Sequence, residues 1–214
     1  MLSRASIAAS RAPARRPASR GFTLIELAVA FTLLGILIAV GLPSFMAWIR
    51  NSQVRAVADS VQSGVRRAQT EAVRLNQNVV FSFTNANPDL NATAVISGKN
   101  WSIQSVASVA NPIDRPAAFL TGGALGDVAS RVTINTTTAA ICFNSNGRLT
   151  ALAATGVPGA NCVAGPQQFD IEQPIRNLSA GDRRLRVLVA IGGQVRMCDP
   201  DRPTLSATTP DGCP

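Results

Sequence analysis

The sequence of 214 residues contains neither histidine nor tyrosine, and aromatic residues make up only 5% of it. Without histidine, enzymes that need an imidazole base are excluded. Asp170 and Glu172 are closely spaced carboxylates, but alternation along a strand would place them on one ordinary polar face. The sequence also has no glycine-rich phosphate loop and no CxxC pair. We therefore expect a protein that is not an enzyme and that uses no cofactor or metal.

One long apolar run is present, at residues 21–50, and Glu26 is its single acidic residue. As a helix, residues 22–48 would be about 40 Å long at ~1.5 Å per residue, which exceeds a hydrocarbon core of ~30 Å. The run is too long for the apolar region of a secretory signal, and no small-residue cleavage site follows it. We therefore expect a transmembrane helix over residues 22–49. Because a carboxylate at mid-bilayer costs about 2.5–3.5 kcal/mol, Glu26 needs a cationic partner.

The net charge of +8 is unevenly distributed along the chain. Five arginines and no acidic residue precede the apolar run, and without them the net charge is +3: Arg4, Arg11, Arg15, Arg16 and Arg20. By the positive-inside rule, this basic segment keeps the N-terminus in the cytoplasm while the C-terminal part crosses the membrane. The high pI is therefore mostly a property of the first 20 residues, and by itself it is not a sign of nucleic-acid binding.

Residues 21–26, GFTLIE, resemble the processing site of type IV prepilins. The resemblance implies that a prepilin peptidase removes residues 1–21 as a leader, cutting after Gly21, and methylates the new N-terminal Phe22. It also implies that Glu26 meets the free amine of Phe22 in a neighbouring subunit during filament assembly. The protein would lie in the inner membrane, with a periplasmic domain at residues 50–214, before it enters a filament.

The pattern after the apolar run predicts an α+β fold. Apolar residues recur every three or four positions as far as Leu75, so the helix should continue in amphipathic form over residues 50–76. Period-two patterns then predict a β-rich part over residues 79–214. A segment with two prolines and a Gly-Gly pair, residues 110–126, predicts a surface loop. The strand candidates are residues 79–84, 94–96, 101–106, 131–135, 139–143 and 167–172. The long helix should pack on this antiparallel sheet, as the resemblance to pilins also implies.

The last strand pair allows its register to be predicted. In residues 183–191, alternation places the apolar residues from Leu185 to Ile191 on the face toward the helix. A two-residue turn at Gly192-Gly193 would force Arg196 onto the buried face beside Val189. We therefore predict a three-residue turn over residues 192–194, which pairs Val189 with Met197 and leaves Arg196 exposed.

The four cysteines all lie in the part that is predicted to be translocated: Cys142, Cys162, Cys198 and Cys213. An oxidising periplasm permits disulfides, and four cysteines allow three connectivities. Sequence proximity favours Cys142 with Cys162 and Cys198 with Cys213, each closing a loop that chain entropy makes worth roughly 3 kcal/mol. A zinc site is the weaker alternative, because the chain offers neither histidine nor a CxxC pair.

Four short motifs after the apolar run resemble the GspH/FimT/FimU group of minor pilins and pseudopilins: residues 51–55, 67–74, 146–148 and 196–200. The resemblance implies a minor pilin of a type IV pilus, a subunit that helps to initiate or cap assembly together with other pilin subunits. A minor pseudopilin of a type II secretion system is the alternative. Some FimT proteins are linked to DNA uptake through a late Gly-Arg-x-Arg segment, which here reads Gly193-Gln194-Val195-Arg196 and lacks the first arginine.

An arginine cluster in the last quarter supplies candidate DNA contacts at Arg184, Arg186 and Arg196. Its other members are Arg176, Arg183 and Arg202. The simpler explanation is a solvated strand face that is balanced by nearby aspartates, since no aromatic residues interleave with the arginines to stack on bases. DNA is therefore a partner that the sequence permits but does not favour.

Overall fold

The computed structural model describes residues 21–90, 92–126, 130–174, 181–202 and 204–214. The five arginines before Gly21, and Arg176 of the arginine cluster, lie outside these residues. The chain divides into two compact units, the first ending at Gly41 and the second being Leu42–Pro214. In the first unit every described residue is exposed.

A single helix, α1 (Leu24–Leu75), holds both the apolar run and the amphipathic segment that follows it. Pro43 lies inside this helix without ending it. By length and hydropathy, α1 is the one helix among the described residues that could span a membrane. It ends at Leu75, one residue before the predicted bound, and Asn76 follows with a left-handed φ of 51°. The amide of Asn76 donates to the carbonyl of Val73 and that of Gln77 to the carbonyl of Ala72, which forms a Schellman cap.

Among its described residues, the second unit contains two antiparallel sheets of four strands each. The first sheet has the order β3-β2-β1-β5 and the second the order β4-β6-β7-β8. Their strands are β1 (Val79–Thr84), β2 (Asn100–Ser105), β3 (Ala118–Ala124), β4 (Thr133–Asn135), β5 (Ala140–Phe143), β6 (Gln167–Glu172), β7 (Leu185–Val189) and β8 (Val195–Cys198).

The main core lies between the amphipathic part of α1 and one face of each sheet. The helix contributes a buried stripe with the predicted spacing of three and four residues, although Leu75 at its end is only half-buried. The stripe consists of Val54, Val57, Ala58, Val61, Val65, Ala68 and Ala72. Phe81 and Phe83 of β1 and Phe169 of β6 meet in edge-to-face contacts, with ring centroids 5.3 Å apart for Phe81–Phe83 and 5.4 Å for Phe83–Phe169. These contacts confirm the α+β arrangement of a long helix on antiparallel β-structure.

One strand prediction and one loop prediction are wrong. Residues 94–96 form no strand: the amide of Ala94 donates to the carbonyl of Pro158, and that of Val95 to the carbonyl of Phe83. Conversely, part of the predicted loop at residues 110–126 is strand β3, which pairs with β2. Its Gly122-Gly123 pair does not turn the chain. A Cβ at position 123 would lie 2.6 Å from the ring of Trp101, so glycine gives that ring room against the strand.

The hairpin between β7 and β8 has a three-residue turn, as predicted, but the turn is residues 191–193 rather than 192–194. The amide of Ala190 donates to the carbonyl of Gln194, and Val189 pairs with Val195. The pairing differs from the prediction by two positions, so each side chain keeps its face and Arg196 is exposed opposite Leu188. Ile191 is 44% exposed in the turn and is not a core residue. The reason is Gly193, whose φ of +87° suits the last position of such a turn.

Candidate functional site

The N-terminal end of α1 is closed by a reciprocal cap between Thr23 and Glu26. The amide and hydroxyl of Thr23 both donate to Glu26 Oε2 at 3.0 Å, and the amide of Glu26 donates to Thr23 Oγ1 at 3.3 Å. This is a capping box, in which the two residues satisfy each other's polar groups at the first turn of a helix. Thr23 is not among the predicted site residues, although the Thr-x-x-Glu spacing of residues 23–26 is itself a sequence signal for such a cap.

Gly21 and Phe22 precede this cap as exposed residues outside the helix, and the Phe22 side chain is 87% exposed. The peptide bond that joins them is therefore accessible next to a structured helix start. The large apolar residues of the following run are also exposed, from Leu24 at 87% to Val40 at 75%. Because the described residues of this unit do not cover them, these side chains suit a surface that meets lipid or other helices.

Both disulfides follow the pairing that proximity favours, with Cα atoms 5.6 Å apart for Cys142–Cys162 and 5.0 Å for Cys198–Cys213. The first bond joins β5 to a segment that covers the outer face of β1, where Val80, Ala140 and Val157 form a second small core. This explains why all six residues of β1 are buried. The second bond ties the C-terminal tail to the end of β8, beside a bridge between Asp199 and Gly212.

Carboxylates neutralise two of the three candidate DNA contacts. Arg186 makes a bidentate pair with Asp170, at 2.6 and 2.8 Å, and this hydrogen bonding raises the pKa of the Arg186 guanidinium above its ordinary value. Arg184 Nε lies 3.0 Å from Asp201 Oδ1. Only Arg196 has no carboxylate partner among the described residues. These ion pairs support the simpler explanation, a solvated strand face whose arginine charges are balanced by aspartates. DNA contact stays a prediction.

The motifs at residues 67–74 and 146–148 meet at one point of the structure. Gln69 of α1 donates through Nε2 to the carbonyl of Gly147 at 2.8 Å. Gly193 lies against both, because a Cβ there would be 2.1 Å from the Gly147 oxygen and 2.2 Å from Gln69 Nε2. The motifs thus join the helix to two turns, which is a structural role.

The motif that begins at Asn51 joins α1 to the segment before β7. The side-chain amide of Asn51 donates through Nδ2 to the carbonyl of Gly181 at 2.8 Å, and Asn51 Oδ1 accepts from the backbone amide of Arg183 at 2.9 Å. One residue earlier, Arg50 Nε lies 2.8 Å from Asp182 Oδ1, and the Asp182 side chain is only 2% exposed.

In the part of the chain that the structure describes, no group of three or more His, Cys, Asp or Glu residues could hold a metal ion.

Comparisons with known proteins give two family matches and three similar structures. Residues 57–193, more than half of the chain, match the family model for the type II transport protein GspH, and residues 16–42 match that for the prokaryotic N-terminal methylation motif. Two crystal structures of the Pseudomonas aeruginosa type IV minor pilin FimU are similar. The first has 16% identity over 76% of this chain and 96% of its own, with a TM-score of 0.46. The second has 15% identity over 74% of this chain and 98% of its own, with a TM-score of 0.43. The Vibrio cholerae type 2 secretion minor pseudopilin EpsH has 11% identity over 70% of this chain and 99% of its own, with a TM-score of 0.44. No curated protein sequence matches.

Proposed function

Because this chain belongs to the GspH family of type II transport proteins, we propose that it is a minor pilin of a type IV pilus, a non-catalytic subunit that helps to initiate or cap the filament. One observation carries the proposal. The helix with the exposed apolar run also supplies the buried stripe of the β-rich unit, so anchor and domain share one continuous helix. A subunit of this kind can leave the bilayer by packing its apolar half against other helices in a filament core.

The proposed assembly begins with the removal of an N-terminal leader. We place the leader at residues 1–21, the membrane span at residues 22–49 and the periplasmic domain at residues 50–214, with the N-terminus in the cytoplasm. Prepilin peptidase would cut the exposed bond after Gly21 and methylate Phe22, and the new amine would pair with Glu26 of a neighbouring pilin subunit. The match to the methylation motif over residues 16–42 supports this order of events.

The processing step is tested by mass spectrometry of the chain after co-expression with a prepilin peptidase. We expect a product that begins at Phe22 and carries one added methyl group on its amine. Gly21→Val should abolish cleavage, whereas Gly35→Val, the same change inside α1, should leave cleavage intact. A product that keeps residues 1–21 in every case would contradict the proposed leader.

A minor pseudopilin of a type II secretion system is the second candidate, favoured by the description of the matched family as a type II transport protein. The two candidates differ in what fails when the gene is deleted. Loss of surface pili with normal secretion of folded proteins supports the pilin, and the opposite result supports the pseudopilin. In either system, Glu26→Gln should reduce assembly, because the neighbouring amine loses its carboxylate partner.

A further inference from the structure

A groove of about 530 Å³ lies in the second unit, between α1 on one side and β7, β8 and the C-terminal tail on the other. Trp48, Ser52 and Arg55 line the helix side, at i, i+4 and i+7 spacing, which places them on one face. Leu185 and Met197 are partly buried in its opposite wall. The groove therefore combines an apolar interior with a polar rim.

Two arginines, Arg55 and Arg183, give the groove an excess of positive charge. Both are exposed, and neither has a carboxylate within ion-pair distance among the described residues. Asp199 and Asp211 also line the groove, but Arg202 lies between them, with Nε 3.7 Å from Asp199 Oδ2 and 3.1 Å from Asp211 Oδ2. The three arginines thus outnumber the two aspartates, so an anion is the better match for this site.

Trp48 relates the groove to the proposed membrane span. It lies at the end of the apolar run, is 66% exposed, and stacks on Phe45 with ring centroids 6.1 Å apart. Exposed tryptophan next to an apolar span is typical of the membrane–water interface. Arg55 follows seven residues later, about 10 Å along the helix, and helical side chains point back toward the N-terminus. Its guanidinium can therefore reach toward the level of lipid phosphates.

We infer that this groove binds the headgroup of an anionic phospholipid, with the phosphate at Arg55 and Arg183 and the upper acyl chain against Trp48 and Leu185. The inference rests on the proposed membrane span, because only a subunit that is still in the bilayer meets such a lipid at this height. Binding would hold the β-rich unit at the membrane surface until the subunit enters a filament.

The test uses the full chain in detergent that contains equal amounts of phosphatidylglycerol and phosphatidylcholine with identical acyl chains. Native mass spectrometry counts the lipids that stay bound. We expect one retained phosphatidylglycerol, and a fall of roughly 30-fold in the ratio of the two lipids for the double variant Arg55→Gln/Arg183→Gln. Arg131→Gln/Arg148→Gln removes the same charge from exposed residues outside the groove and should leave the ratio unchanged.

Three kinds of result would overturn the inference. The first is equal retention of both lipids by the unmodified chain, or an unchanged ratio in a folded Arg55/Arg183 variant. The second is displacement of the lipid by millimolar inorganic phosphate at constant ionic strength, which would make the groove a site for free phosphate. The third is crosslinking of a photoreactive residue in place of Ser52 to another subunit and not to lipid, a readout that does not need the arginine variants to fold.

Failure of the membrane span has a separate readout. The full chain should float with vesicles of pure phosphatidylcholine, whatever the groove binds. Absence from the floating fraction would contradict the proposed span. Flotation without a preference for phosphatidylglycerol would reject the groove alone.

Discussion

At the scale of single residues, the contact between Gly193, Gly147 and Gln69 joins α1 to two turns. Gly193→Ala would place a Cβ on the Gly147 oxygen and on Gln69 Nε2, at a residue whose φ is +87°. The left-handed backbone costs a non-glycine residue about 1–2 kcal/mol, and the lost Gln69–Gly147 hydrogen bond about 1 kcal/mol. We expect the free energy of unfolding in urea to fall by about 2–3 kcal/mol.

Gly192→Ala is the matched control for this change, because a Cβ there meets nothing within 4 Å and Gly192 has no positive φ. It should alter stability by less than about 0.5 kcal/mol. Equal effects at the two glycines would show that the contact with Gln69 is unimportant.

The sequence predicts a turn at this glycine pair but not which glycine is left-handed. That choice depends on where the hairpin meets Gly147 and Gln69, which are far away in sequence. The pairing of the cysteines is more local, and short separations along the chain were enough to predict both disulfides. The cap between Thr23 and Glu26 is also local, but it was not predicted, and the pairing of Glu26 with a neighbouring subunit stays a prediction.

At the scale of elements, α1 depends on one buried glycine to approach the first sheet. A Cβ at Gly64 would lie 3.0 Å from the Phe81 ring and 3.2 Å from the Trp101 ring. Gly64→Leu should therefore destabilise the fold by about 1–2 kcal/mol, because overpacking costs about 1–3 kcal/mol and better helix propensity returns up to about 1 kcal/mol.

Ser63→Leu is the matched control, because it introduces the same side chain one residue earlier, at an exposed position of α1. Urea unfolding curves of the two variants should differ clearly, with Ser63→Leu within about 0.5 kcal/mol of the unmodified protein. A destabilised Ser63 variant together with a neutral Gly64 variant would mean that the helix packs on its other face.

Elements with strong periodicity were predictable from sequence, and those shaped by distant contacts were not. The helix stripe and the bounds of β1 and β6 follow from patterns of 3.6 and two residues. Strand β3 was not predicted because a Gly-Gly pair such as Gly122-Gly123 is typical of turns. Here the pair makes room for Pro88 and Trp101, which lie outside β3 itself.

At the scale of the whole molecule, the two disulfides protect different parts of the β-rich unit. The Cys142–Cys162 bond belongs to the second core, in which both sulfurs and Val80 are buried, whereas Cys198–Cys213 holds a mostly exposed tail. Each closed loop is worth roughly 3 kcal/mol by chain entropy. Cys142→Ala/Cys162→Ala should lower the free energy of unfolding by more than roughly 3 kcal/mol. The reason is that residues 151–165 would also detach from the outer face of β1 and leave it exposed.

Limited proteolysis and urea unfolding check this difference. The Cys142/Cys162 variant should be cut within residues 151–165 while the rest of the chain is still folded. The matched variant, Cys198→Ala/Cys213→Ala, should lose stability without new cleavage there. Identical cleavage patterns would argue against a separate role for the second core.

The predicted periplasmic domain begins at residue 50, which places the start of a soluble fragment near Asn51, but the contacts of α1 favour a start at Ala47. Burial on the helix begins at Ala47, which is 4% exposed, and Arg50 then meets the carboxylate of Asp182, whose side chain is 2% exposed. Starting at Asn51 removes that guanidinium. It also places the two hydrogen bonds of Asn51 on the fraying first turn of a helix.

We therefore expect fragment 47–214 to be more stable in urea than fragment 51–214 by about 2 kcal/mol, because the charge-assisted hydrogen bond from Arg50 to Asp182 is lost. Arg50→Ala within fragment 47–214 should reproduce most of the loss. Arg55→Ala, on the same helix but without a carboxylate partner among the described residues, should not. Equal stability of the two fragments would show that the β-rich unit is independent of the last turn of the proposed span.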